Sequence, residues 1–196
     1  MVSEIATDVK ELAEEALRLQ RFCEAKGWRF CFIGGIAVQR WSEPRLTRDS
    51  DMTLLTGFGS EEPFIDALMK EYRSRRGDAR EFALTHRVLL VHGHDGSGID
   101  IALGALPFEE EAIRRSRYEE YFPGVTLRVC SPEDLIVMKV FANRELDWRD
   151  VQMTIVRQGV VALDWDYIEK HLKPLLELKG ESESLDRLQG LRRRYE

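Results

Sequence analysis

Apolar residues recur at helical spacing over residues 3–26, where Ile5, Val9, Leu12, Ala16 and Leu19 share one face, and Gly27 stops the run. Residues 28–33, Trp-Arg-Phe-Cys-Phe-Ile, are aromatic and β-branched and predict a strand that ends on Gly34-Gly35. A short helix over 36–41 follows and Pro44 closes it. Residues 49–55 predict a second strand, and 61–72 an amphipathic helix with Phe64, Leu68 and Met69 facing inward. Residues 81–92 and 97–103 read as two strands joined by a turn at Asp95-Gly96, a strong hairpin signal. Over 115–129 the pattern predicts a loop and one more strand, 125–129.

The pattern changes at Ser131-Pro132-Glu133-Asp134. A serine N-cap, proline at the first helical position and acids in the first turn start a helix there. From that point to Glu196 only helical periods are found. The predicted fold is therefore α/β: a small mixed sheet with outer helices over residues 1–130, including the N-terminal helix 3–26, then an all-helical C-terminal subdomain over 131–196.

Composition fits this plan, with 43% hydrophobic and 33% charged residues, enough for a core and an ordinary charged surface. No run approaches the roughly 18 apolar residues of a membrane span, and the first residues lack a secretory pattern. A cytoplasmic protein without membrane contact is expected. Cys23, Cys31 and Cys130 have no metal-ligand spacing and read as reduced packing residues. The net charge of −6 argues against non-specific coating of nucleic acid. Basic clusters such as Arg73-Ser74-Arg75-Arg76 read as solvated faces or helix ends, and RNA stays open as a transient acceptor.

The chemistry is concentrated between Gly34 and Asp51. A strand ends on two glycines, a helix begins at once, and an Asp-x-Asp pair opens the next strand. Glycine allows backbone to approach a bulky anion, and the free amides of the new helix point at it, which suits a triphosphate. Asp49 and Asp51, two apart on a strand, project from one face and can converge on a metal centre. Magnesium takes carboxylate and phosphate oxygens while keeping water. Asp100, set among Ile and Ala in the second arm of the hairpin, is costly if buried without a partner and is the third candidate carboxylate. Downstream, Lys139 is the only charge between Ile136 and Ala142. On a continuous helix Lys139, Asn143, Asp147 and Asp150 share a face, whereas a break near Glu145 regroups them.

Gly34-Gly35, then Arg45-x-Thr47-x-Asp49-x-Asp51, then a later strand aspartate resembles the polymerase-β-like nucleotidyltransferase superfamily, and most narrowly the AbiEii-type toxin nucleotidyltransferases. The segment from Glu133 through Lys139, Arg144, Asp147 and Asp150 is similar to that family's helical Lys…Arg…Asp…Asp stretch. The resemblance implies an enzyme that moves a nucleoside monophosphate from an NTP to an acceptor hydroxyl. Asp49, Asp51 and Asp100 would hold two Mg²⁺ ions, or Mn²⁺, and Asp100 would also serve as base. Gly34, Gly35, Arg45, Thr47, Lys139 and Arg144 would contact the nucleotide. The acceptor is tRNA or another RNA, a protein, or a small molecule such as an antibiotic. A toxin of this type has an antitoxin protein as partner. A degenerate member that binds nucleotide or a partner without turnover is the remaining reading.

Several of these residues also have a plain structural reading. Arg45 is a nucleotide or acceptor contact, or a partner for a nearby acid. Lys139 is a phosphate contact or a lysine whose stem packs on a helical seam. His92-Gly93-His94 reads as an ordinary hairpin flank without a third metal ligand, and Trp148 and Trp165 as packing residues.

Overall fold

A computed structural model describes the backbone of residues 2–196 and the side chains from Val9 onward, so Ile5 on the first helical face lies outside the described side chains. The chain divides into two compact units, Met1–Ile36 with Leu46–Cys130, and Ala37–Arg45 with Ser131–Glu196. The division falls inside one short helix, so residues 37–45 belong with the helical unit.

The first unit is built on a seven-stranded mixed sheet. Its strands are β1 (Phe30–Phe32), β2 (Asp49–Leu55), β3 (Arg73–Ser74), β4 (Val88–His92), β5 (Gly98–Gly104), β6 (Arg117–Phe122) and β7 (Val125–Val129), in the order β3-β4-β5-β2-β1-β7-β6. The central strands β2 and β5 run parallel, and β1 is antiparallel to β2 and parallel to β7. Along β2, Ser50, Met52, Thr53 and Leu54 are buried while Asp49 is exposed and Asp51 half-buried, so the alternation of a strand with one covered face holds over its first four residues. Helix α1 (Val2–Ala25) packs on β7 and β2 and buries Leu12, Ala16 and Leu19 as the period predicts. Helix α2 (Gly34–Trp41) starts directly after β1.

Three segments differ from the sequence pattern. Residues 81–86 are expected in a strand, yet they belong to a helix, α4 (Ala79–His86). Ala79 and Ala83, four apart, are its buried residues, and Arg87 in the left-handed region (φ 56) ends it before β4. In α3 (Glu62–Glu71) the buried residues are Ile65 and Leu68 and Met69 is exposed, so the inward face is turned by about one position. The stretch before β7 holds a helix, α5 (Pro107–Arg115), and the edge strand β6. Glu109 accepts from the amides of Ala105 and Leu106 at 2.8 Å each and starts α5. All of β6 is exposed or half-buried, so it has no alternation to read.

The second unit is helical: α6 (Pro132–Ala142), α7 (Glu145–Gln158), a 3₁₀ turn (Val160–Ala162), α8 (Trp165–Lys179) and α9 (Glu183–Tyr195). Helix α6 is its centre, packed by α7, α8 and α9. It is apolar on nearly every side, so its polar exceptions stand out. Ser131 caps it as expected, accepting from the Asp134 amide at 3.1 Å, and the Ser131 hydroxyl donates to Asp134 at 2.7 Å. Asp134 is fully buried, and its other carboxylate oxygen accepts from the Tyr167 hydroxyl at 2.5 Å. Trp148 and Trp165 are buried in this unit, their indole N–H groups donating to Asn143 Oδ1 and the Val160 carbonyl. Among the described residues no helix is long and apolar enough to cross a membrane.

Replacing Ser131 with Ala removes the cap while leaving the helix its proline start. The expected loss is about 1 kcal/mol of unfolding free energy, read as a shifted urea midpoint at unchanged m-value. A midpoint equal to that of the parent would show that Asp134 and Tyr167 hold the helix start without the cap.

Candidate active site

The parallel pairing of β2 with β5 sets Asp51 directly beside Asp100 and Asp49 beside Gly98. Neighbours in register point to the same face, and residues two apart on one strand do likewise. Asp49, Asp51 and Asp100 are therefore on one sheet face. The side chain of Asp49 is 53% exposed and that of Asp100 is 37% exposed. Burial pushes the Asp100 carboxyl above its ordinary pKa; Arg75 pulls it down, and the charge of Asp49 adds to the rise.

The two glycines serve the aspartates in a way the sequence did not suggest. The Gly35 amide, in the first turn of α2, donates to Asp51 Oδ2 at 3.0 Å. The anion at this helix start is Asp51 itself. A β-carbon on Gly34 would lie 2.1 Å from that oxygen, and Gly34 has a positive φ of 49°, so both space and backbone demand glycine. A β-carbon on Gly35 would lie 2.4 Å from Thr47 Oγ1. Thr47 in turn donates to the Asp49 carbonyl at 3.2 Å. Gly34, Gly35 and Thr47 thus shape the start of β2 and the seat of Asp51.

Arg75 is the residue that sequence reasoning missed. Its amide donates to the Leu90 carbonyl at 3.0 Å, and Leu90 stands opposite Asp100. From there the guanidinium makes a charge-assisted hydrogen bond to Asp100 Oδ1 and lies 3.9 Å from Asp49 Oδ1. A β-carbon on Gly98 would meet both Asp49 Oδ1 at 2.0 Å and Arg75 Nη1 at 2.8 Å, so the absence of a side chain there makes room for the pair. The one sequence signal was the run Arg73-Ser74-Arg75-Arg76, which reads as a solvated face because β3 is only two residues long.

The donor set is all carboxylate oxygen, the chemistry a hard divalent cation selects, and it stands on one face of two adjacent strands. It fits a metal by type and placement. With Arg75 on Asp100 and Asp51 turned to Gly35, no three such side chains among the described residues are gathered tightly enough to hold an ion. The guanidinium supplies the positive charge instead. His92 and His94 flank their hairpin turn, and His92 Nδ1 lies 3.3 Å from the Gly96 carbonyl.

In the helical unit, Asn143 in the left-handed conformation (φ 58) breaks α6 from α7. Lys139 on α6 therefore faces Asp147 and Asp150 on α7 across that corner, at 2.8 and 2.9 Å. Lys139 is 7% exposed, so two buried carboxylates account for the lone cation of α6. Arg45 makes a two-pronged contact with Asp150 at 2.9 Å in both prongs, which is the acid-partner reading of this residue. Arg144 binds Asp147 at 2.6 Å with its side chain 75% exposed. For both aspartates burial acts to raise the pKa. Hydrogen bonds from Arg144 and Lys139 to Asp147, and from Arg45 and Lys139 to Asp150, outweigh it and hold both carboxyls below their ordinary value.

Among solved structures, the antibiotic-resistance factor ANT(2'')-Ia is similar at a TM-score of 0.55 and 15% identity, over 92% of this chain and 98% of that one. The fold is that of a nucleotidyltransferase. An antigenic nucleotidyltransferase-like protein from Paracoccidioides brasiliensis shares this nucleotidyltransferase fold at a TM-score of 0.53 and 14% identity, over 89% and 91% of the two chains. The lincosamide antibiotic adenylyltransferase LnuA, bound to lincomycin, has a TM-score of 0.51 and 12% identity, over 72% of this chain and 94% of its own. At these identities the shared property is the fold. No curated protein matches the chain. Residues 114–196 match the model of a family described as nucleotidyltransferase of unknown function (DUF6036). This match spans β6, β7 and helices α6 to α9, and Asp49, Asp51 and Asp100 lie ahead of it.

The ion pairs of the helical unit predict the behaviour of Lys139→Met. Removing one partner of a buried pair leaves the remaining charge uncompensated, and Asp147 and Asp150 would keep only their arginines. The expected destabilisation is about 3–5 kcal/mol, measured by urea or thermal unfolding of the ligand-free protein. Because both carboxyl pKa values are depressed in the fold, their contribution is present above the ordinary carboxylate pKa and lost as pH falls through the folded value. The gap between parent and variant should therefore narrow on acidification below about pH 4. A Met variant as stable as the parent at neutral pH would show that the pair contributes nothing.

Proposed function

We propose that the protein transfers a nucleoside monophosphate from an NTP to an acceptor hydroxyl, with Asp49, Asp51 and Asp100 as the catalytic carboxylates. The observation that carries this reading is the β2–β5 register, which sets Asp51 beside Asp100 and Asp49 on the same face in a nucleotidyltransferase fold. The acceptor oxygen attacks the α-phosphorus, the bond from that phosphorus to the bridging oxygen breaks, and pyrophosphate leaves. The hydroxyl proton passes to Asp100, the carboxylate that β5 sets beside Asp51. Divalent cations held by the three aspartates would neutralise phosphate charge and lower the pKa of the acceptor hydroxyl.

The other nucleotide contacts form part of the same reading. Gly34 and Gly35 hold Asp51 in place and present the start of α2; Thr47 fixes the entry to β2. Arg144, exposed beyond its contact with Asp147, is the cation of the helical unit suited to phosphate. Lys139 and Arg45 act by holding Asp147 and Asp150, and so by positioning Arg144 and the segment that carries Arg45.

A small-molecule hydroxyl is the acceptor class supported first, because ANT(2'')-Ia and LnuA, both similar in fold, are an antibiotic-resistance factor and an antibiotic adenylyltransferase. The AbiEii-type resemblance carries the other acceptor class, RNA or protein, together with an antitoxin partner.

Incubating the protein with each α-labelled NTP and Mg²⁺ or Mn²⁺, in parallel with aminoglycosides, lincosamides and total RNA, tests the reaction and the acceptor together. Asp51→Asn keeps an acceptor oxygen for the Gly35 amide and should leave the fold intact. Transfer should fall about a hundredfold or more. Turnover equal to the parent's in Asp51→Asn would remove Asp51 from the machinery. Label carried into RNA and not into the antibiotics would favour the toxin-type reading.

A further inference from the structure

We propose that Arg75 is an exchangeable counter-ion of the carboxylate site: it neutralises Asp49 and Asp100 in the metal-free protein and must be displaced before a divalent cation can bind there. The inference rests on the reading of the three aspartates as metal ligands.

The guanidinium stands where an ion would bring its charge. It hydrogen-bonds Asp100 Oδ1 and lies 3.9 Å from Asp49 Oδ1, so a divalent cation entering between these carboxylates would meet a like charge at close range. The contact is also built to be given up. Arg75 keeps 24% of its side chain exposed, so the group has a route to solvent. Its Nε is buried and donates no hydrogen bond among the described residues, which penalises the docked position. The backbone anchor, by contrast, is independent of the side chain: the Arg75 amide on Leu90 stays paired whichever way the guanidinium turns. The bare Gly98 beneath the pair makes room for the docked guanidinium, since a β-carbon there would collide with both partners.

Release would free the guanidinium charge from Asp100 only when metal is present. The same residue thereby links occupancy of the carboxylates to the capture of an anion such as a phosphate, and an unloaded protein would hold neither.

The test measures Mn²⁺ binding to the full chain by electron paramagnetic resonance of the free ion, for the parent, Arg75→Gln and Arg75→Lys. Loss of a charge-assisted competitor predicts that Arg75→Gln binds Mn²⁺ about tenfold or more tightly, with Arg75→Lys in between. Without metal, Arg75→Gln should melt below the parent, and saturating Mn²⁺ should raise its melting temperature more than it raises the parent's. Equal Mn²⁺ affinity in parent and Gln variant, or weaker binding in the variant, overturns the proposal while leaving the metal site in place. Absence of Mn²⁺ binding in all three proteins, with and without NTP, overturns the metal-site reading and this proposal with it.

Discussion

Three carboxylates on one face of two adjacent strands repel one another, and much of the surrounding structure can be understood as an answer to that repulsion. Strands lie about 4.8 Å apart and alternate residues about 7 Å, so Asp49, Asp51 and Asp100 cannot avoid each other once β2 and β5 pair in this register. Each is met by a different device. Asp51 is turned to the first amide turn of α2, Asp100 takes a guanidinium, and Asp49 stays largely in water with the same guanidinium near it. Two glycines and a two-residue edge strand exist where they do because those devices need room and an anchor.

The helical unit meets a related problem differently. Asp147 and Asp150 are almost completely buried, and Lys139 is held between them with little access to solvent. Every charge in that cluster has an opposite neighbour drawn from a separate element: α6, α7 and the 37–45 segment. Such an arrangement fixes elements to one another and is costly to interrupt. The site on the sheet, more exposed and with an unused donor, has the opposite character. Permanence and exchangeability are thus assigned to different ion clusters by burial and by hydrogen-bond completeness.

Much of this was legible in the sequence. The strand-Gly-Gly-helix-Asp-x-Asp order located β1, α2 and β2, and the hairpin signal placed Asp100 on a strand. The Ser131-Pro132-Glu133-Asp134 start also marked where helices begin. What remained hidden has physical reasons. Helix α4 escaped because two alanines carry its buried face, and β6 because an edge strand exposed on both faces has no period. Arg75 could not be found because its role depends on a register two strands away. The environment of Lys139 turned on one residue, Asn143, whose left-handed conformation converts a helix face into a facing pair.

Gly35 and Thr47 illustrate what such tight geometry does to a sequence over time. A β-carbon on Gly35 would press within 2.4 Å of the Thr47 hydroxyl and 3.0 Å of its β-carbon, and a β-branched side chain has little rotameric freedom to yield. The two positions are coupled through space across twelve residues of chain, so a serine at 35 calls for a smaller residue at 47. In descendants of this sequence, substitution at either position is expected to travel with a compensating change at the other.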